Sequence, residues 1–132
     1  MTMHWPRFLL IAAGVFGATG VVAGAFASHG LSSLVEPRLV AIFETGARYQ
    51  LLHAVAILPL AVMAQKEATR RWAVWSGLSF IFGILVFSGS LYVRVLADSP
   101  ALGAITPIGG LGFILGWVGV MGAGWRSVAI QR

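Results

Sequence analysis

The chain contains no cysteine, so disulfides, thiolate metal sites and cysteine nucleophiles are excluded. Charge is scarce as well. Asp, Glu, Lys and Arg make up 10% of the residues, against about 25% in a soluble domain. A chain this poor in charge lacks the material for a water-facing surface, so lipid must cover much of it. Acids are the rarest, 4 against 9 Lys and Arg, for a net charge of +5. This excess does not point to nucleic acid, and no nucleic-acid partner is expected. The basic residues sit in short segments beside apolar runs, where they set membrane topology. The histidines match no metal-ligand spacing, and no nucleophile elbow surrounds a serine. The chain therefore reads as non-enzymatic, with no metal and no cofactor.

What is present is apolar: 58% of residues, with a mean hydropathy of +0.89. A hydrocarbon core takes about 20 residues of helix. Four stretches meet or approach that length, at 8–26, 47–64, 72–96 and 105–125. The expected fold is all-α: a polytopic four-transmembrane-helix bundle, one membrane domain over 1–132. Arg7 and the Ala25-Phe26-Ala27 triplet resemble parts of a signal peptide. The run between them is long enough to span, so it reads as the first transmembrane helix.

Four spans place both termini on one side. Arg7, Lys66, Arg70, Arg71, Arg126 and Arg132 gather there, while Arg38 and Arg94 lie on the other, with Arg48 just inside the second span. The positive-inside rule makes both termini cytoplasmic. Trp5, Trp72, Trp75 and Trp125 fall near the same ends, as an interfacial aromatic belt does.

Small residues repeat along three spans, at Gly17, Gly20 and Gly24 in the first, Ser79 and Gly83 in the third, and Gly109, Gly112 and Gly116 in the fourth. Such faces let helices approach closely in lipid and predict tight packing within a bundle or an oligomer. Gly30 is expected to end the first helix in a left-handed conformation. Pro37 suits the first turn of a short interfacial helix before the second span, with a bend at Gly46. Pro59 predicts a kink, and Thr106 a cap for the fourth helix.

The stretch from Phe43 to Pro59 departs from this pattern. It carries Glu44, Arg48, Tyr49, Gln50 and His53 inside an apolar segment. Ionisable groups at membrane depth are costly and usually face a protein interior or a wet cavity. Glu44 and Arg48 have the spacing of a helical ion pair. Other polar residues fall at the same outer depth: His29 ending the first span, Ser88, Ser90 and Tyr92 in the third, Thr106 opening the fourth. The economical reading joins His29, Glu44, Arg48, Tyr49, His53, Ser88, Ser90, Tyr92 and Thr106 into one outward-facing polar pocket. Such a pocket would take a small ligand or a lipid headgroup, or dock a partner membrane protein. Separate interfacial caps are the alternative, as is a small proton-coupled transporter or channel with His53, Glu44 and Arg48 along its path. The nearly apolar inner halves favour a pocket over a path. Beyond the lipid bilayer, the expected partners are a homo-oligomer or another membrane protein.

Several blocks carry a family resemblance. Gly24-Ala25-Phe26-Ala27-Ser28-His29-Gly30-Leu31, Phe43-Glu44-Thr45-Gly46 with Tyr49-Gln50 and His53-Ala54, Phe87-Ser88-Gly89-Ser90-Leu91-Tyr92, and Ile105-Thr106-Pro107-Ile108-Gly109-Gly110 follow in order, closing with Gly116-Trp117. They resemble the YgdD/YwdK-like family of small inner-membrane proteins, domain of unknown function four hundred and twenty-three, to which a small eukaryotic transmembrane protein is related. The resemblance implies four transmembrane helices in a bacterial inner membrane and no particular activity.

Overall fold

A computed structural model describes residues 4–129, and Arg132 lies outside them. Helix α1 covers Trp5–His29, α2 Pro37–Met63, α3 Glu67–Gly83, α4 Gly89–Leu96 and α5 Thr106–Ala129. A π-helical segment, Ile84–Ser88, joins α3 to α4 without a break, so the two form one rod. Four helical rods are thus long and apolar enough to cross a membrane. Large apolar side chains are exposed along them, among them Val22, Val55, Leu85 and Ile114. This surface belongs in hydrocarbon, where a helix satisfies its own backbone hydrogen bonds.

The helices pack in a chain rather than a closed square. Helix α1 lies chiefly on α2, and α5 chiefly on α3, while α2 pairs with the α3–α4 rod in the middle. The seam of α2 runs through Phe43, Gly46, Ala47, Gln50, His53, Ala54, Ile57, Leu60 and Ala61. That spacing of three and four residues is a single helix face. One core cluster, near the end that carries both termini, joins Leu9, Ile57, Leu60, Ala73, Phe80 and Phe113. A smaller one at the opposite end joins Ala27, Leu31, Phe43 and Val95.

Several local expectations change. The short interfacial helix and the second span are one continuous helix from Pro37, and a single 3-10 turn, Leu31–Ser33, precedes it. No bend marks Gly46. A Cβ there would lie 2.8 Å from the Tyr92 ring, so glycine serves close approach instead. Gly30 is right-handed at φ −99°, and its missing side chain leaves room for the Phe26 ring. The left-handed residue is Asp98, φ 46°, in the turn before Pro100. Asp tolerates that region better than most side chains. Helix α2 continues past Pro59 to Met63. Its last carbonyls are met from the next helix: Thr69 Oγ1 donates to Met63 O at 2.7 Å, and Arg70 Nε to Ala64 O at 3.2 Å. These bonds hold the short α2–α3 turn and replace the missing intrahelical donors.

The small-residue faces divide. Gly109, Gly112, Gly116, Gly119 and Gly122 form a stripe on α5 into which Phe87, Phe82, Phe80, Trp75 and Trp72 of the neighbouring rod fit in turn. Gly83 reciprocates by admitting Phe113. On α1, Gly20 packs against Leu51, but a Cβ on Gly17 or Gly24 would meet nothing within 4 Å. Those two glycines do not pack within this chain, because α1 meets the protein on one side only.

Gly109 is the tightest of these positions. A Cβ there would strike the Phe87 backbone, within the π-helical segment, where no side chain can rotate away. Gly109→Ala is expected to lower stability by about 1–3 kcal/mol. Gly124→Ala, which adds a methyl into open space, should stay within about 0.5 kcal/mol of the parent. Reversible unfolding in mixed micelles measures both, and equal shifts would contradict the packing described.

Candidate functional site

The polar residues of the spans resolve into discrete contacts between helices. Gln50, 4% exposed, holds the largest. Its Nε2 donates to Phe16 O at 2.9 Å and to Thr19 Oγ1 at 2.8 Å, both on α1. Its Oε1 accepts from the Tyr92 hydroxyl on α4 at 2.8 Å. The Phe16 carbonyl can only accept, which fixes the orientation of the amide. The Thr19 hydroxyl in turn donates a hydrogen bond to Val15 O at 2.8 Å. A single neutral side chain therefore ties α1, α2 and α4 together.

Three further contacts link neighbouring rods. Ser88, on the π-helical segment, donates to Gly46 O of α2 at 2.8 Å. Ser90 donates to Phe87 O, which leaves its oxygen to accept from Thr106 of α5 at 2.7 Å. Thr106 is thus the first residue of α5 and a cross-link to α4, rather than a cap. Closer to the terminal end, Ser76 donates to Gly116 O at 2.6 Å. The inner half of the α3–α5 contact is therefore not purely apolar.

His53, 3% exposed, joins α2 to α5. The Trp117 indole N–H lies 3.2 Å from Nε2, and Nδ1 lies 2.7 Å from Tyr49 O. Indole only donates, so Nε2 accepts and Nδ1 carries the proton. Both ring nitrogens are engaged and the imidazole is neutral. Phe113 stacks on it at 3.6 Å with 9° between the rings. This arrangement holds a helix interface and leaves no nitrogen ready to relay a proton.

The remaining candidates lie apart from these contacts. His29 and Arg48 are exposed and Glu44 is half-buried. Glu44 and Arg48 form no ion pair; among the described residues Arg70 and Glu67 make the only one. Tyr49, 43% exposed, packs against Phe87 with ring centroids 4.6 Å apart and the planes tilted by 33°. Helix phase explains the division, because Glu44, Arg48 and Tyr49 lie off the buried seam that Gly46, Gln50 and His53 occupy. Among the described residues no buried side-chain nitrogen or oxygen lacks a hydrogen-bond partner, and no His, Asp and Glu cluster has the make-up of a metal site.

The open helix arrangement leaves lateral grooves. One, of about 680 Å³, lies between α2 and α5 and is lined by Tyr49, Leu52, His53, Phe87, Pro107, Gly110, Leu111, Phe113, Ile114 and Trp117. Another, of about 410 Å³, lies between α1 and the α3–α4 rod, with Gln50 and Tyr92 in its wall. Gln50, Thr19 and Trp117 stand outside the nine residues expected for a pocket. The signal for Gln50 was present in its position on the Phe43–Gly46–His53–Ile57 face. Nothing in the local pattern marks Trp117 as the partner of His53, 64 residues away.

Interhelical hydrogen bonds in bilayers contribute about 0.6 kcal/mol on average and at most about 1.7 kcal/mol. Tyr92→Phe should therefore cost about 0.6 kcal/mol, and Gln50→Leu, which removes three bonds, about 1–2 kcal/mol. The double variant should cost less than the sum, because the Tyr92–Gln50 bond is lost in either single variant. Unfolding of all four proteins in mixed micelles measures this, and strict additivity would contradict a shared bond.

Comparison with known proteins is consistent with this architecture. The family model described as "Protein of unknown function (DUF423)" matches residues 23–110. A UPF0382 membrane protein of Haemophilus influenzae is 38% identical over 110 residues, covering 83% of this chain and 87% of that protein. The UPF0382 inner membrane protein YgdD of Escherichia coli is 39% identical over 111 residues, 84% of each chain. A UPF0382 membrane protein of Staphylococcus aureus is 38% identical over 112 residues, 85% of this chain and 90% of that one. No solved structure matches. With four apolar rods bound by buried polar contacts, and relatives named as membrane proteins over most of its length, the chain belongs to the DUF423 family of membrane proteins of unknown function.

Proposed function

We propose that the protein is a non-catalytic bacterial inner-membrane protein, with both termini cytoplasmic, that holds an amphipathic lipid or lipid-like ligand in the groove between α2 and α5. The observation that carries this reading is the groove itself, about 680 Å³ and lined almost wholly by aromatic and aliphatic side chains. Ligand sites are typically of this size and make-up, with a few polar groups fixing orientation. Here the apolar wall is supplied by Leu52, Leu111, Ile114 and the Trp117 ring. Polar contact is available at the outer end, where side chains of α2 lean toward its N-terminus. The Tyr49 hydroxyl has no hydrogen-bond partner among the described residues, and Arg48, the preceding residue, is exposed. A chain in the groove and a headgroup at Tyr49 and Arg48 would use both.

This reading narrows the expected pocket. The ligand would meet Tyr49 and Arg48, while His53, Ser88, Ser90, Tyr92 and Thr106 would shape the helices around it. His29 and Glu44 would face the outer interface. The cytoplasmic placement of the termini rests on basic residues, with Arg7, Lys66, Arg70, Arg71 and Arg126 at the terminal end.

Gly110 offers a direct test. A Cβ there meets only the Phe87 ring, at 3.8 Å, so a larger side chain can enter the groove without striking the backbone. Gly110→Leu is expected to keep its unfolding midpoint while losing most of the lipid that co-purifies in mild detergent, as counted by native mass spectrometry. Equal lipid retention in the parent and the variant would overturn the proposal.

A further inference from the structure

A third cleft, of about 620 Å³, opens at the opposite end of the molecule, beside the termini. Ala68, Arg71, Trp72 and Trp75 of α3 line one wall and Arg126 of α5 the other. The glycine stripe builds it. Gly122 admits the Trp72 ring and Gly119 the Trp75 ring, which draws the end of α5 against the start of α3. Arg71 and Arg126, 55 residues apart in sequence, then line one cleft together with Trp72 and Trp75.

The charges around the cleft are unequally engaged. Arg70 pairs with Glu67 and also donates to Ala64 O. Arg71 and Arg126 have no ion-pair partner among the described residues, and both are exposed. Glu67 is the only acid among the described residues at this end, and Arg70 occupies it. Lys66 and Arg7 add to the same positive field. Indole rings favour the level of lipid headgroups, and paired guanidiniums suit the oxygens of a phosphate.

We propose that Arg71 and Arg126, lining one cleft with Trp72 and Trp75, form a binding site for the headgroup of an anionic phospholipid. The two guanidiniums receive the phosphodiester and the indole faces carry the glycerol and upper acyl region. Phosphatidylglycerol fits this chemistry. Phosphatidylcholine brings its own ammonium group and would compete with the arginines for the same phosphate. The site is distinct from the α2–α5 groove and lies at the other end of the spans.

Native mass spectrometry of the detergent-released protein, titrated with phosphatidylglycerol or with phosphatidylcholine of the same acyl chains, tests this. The first phosphatidylglycerol should bind about thirtyfold tighter than the first phosphatidylcholine, as expected for two basic residues at a headgroup. Arg71→Gln with Arg126→Gln should bring the two lipids to within about twofold of each other. Arg70→Gln, which alters the charge at the same end but not the cleft, should keep most of the preference. Equal binding of both lipids to the parent, or an equal loss in Arg70→Gln, would overturn the proposal. Displacement of phosphatidylglycerol by inorganic phosphate at fixed ionic strength would overturn the lipid assignment in favour of a soluble phosphate. Should the double glutamine variant fail to fold, Arg71→Lys with Arg126→Lys keeps the charge and loses the fork, and an undiminished preference would then contradict the paired-guanidinium geometry.

Discussion

Hydrocarbon offers no hydrogen bonds, so a polar group buried in the spans is costly unless it finds a partner within the protein. That constraint shapes the structure. The chain carries few such groups, and the buried ones are spent between helices: Gln50 with Phe16, Thr19 and Tyr92, Ser88 with Gly46, Ser90 with Thr106, Ser76 with Gly116 and His53 with Trp117. Apolar side chains feel little preference between lipid and one another, so polar contacts and close packing must hold the rods together. Glycine supplies the second half. On α5 it lowers the surface enough for an aromatic ridge to seat, and at Gly109 it lets two backbones nearly touch.

The same economy leaves the molecule open. Because α1 rests mainly on α2 and α5 mainly on α3, the four rods pack in a row and leave grooves along their flanks. The proposed ligand site follows from that geometry, since a groove facing the bilayer is filled by whatever apolar chain lies beside it. The basic cleft near the termini follows from it too, as the seating of Trp72 and Trp75 on α5 brings Arg71 and Arg126 to one place.

Much of this was legible in the sequence. Length, hydropathy and charge gave four spans with both termini at one end, and the glycine repeat on the fourth span marked a real interface. What escaped was contact. The polar residues of the α2 stretch, Glu44, Arg48, Tyr49, Gln50 and His53, suggest one site, yet Glu44 and Arg48 lie off the seam and do not pair. The residue that organises the interface is the uncharged Gln50, one position beyond Tyr49. A helical wheel gives the angle of each residue, which puts Gln50 on the Phe43–Gly46–His53–Ile57 face, but not which neighbour that face meets. Gly17 and Gly24 show the same limit from the other side: their spacing suits packing, yet α1 turns them away from the chain. The π-helical segment is also silent in the sequence, because Ile84 to Ser88 is ordinary apolar helix by composition.

The central claim is that Gln50 sits in a dry helix junction and not in a wet, outward-opening site. Hydrogen–deuterium exchange of the glutamine side-chain amides, followed by solid-state NMR of the labelled protein in bilayers, measures this directly. The Gln50 amide protons should be protected long after those of the exposed Gln65 have exchanged. Exchange of Gln50 as prompt as that of Gln65 would place water at the junction and contradict the account.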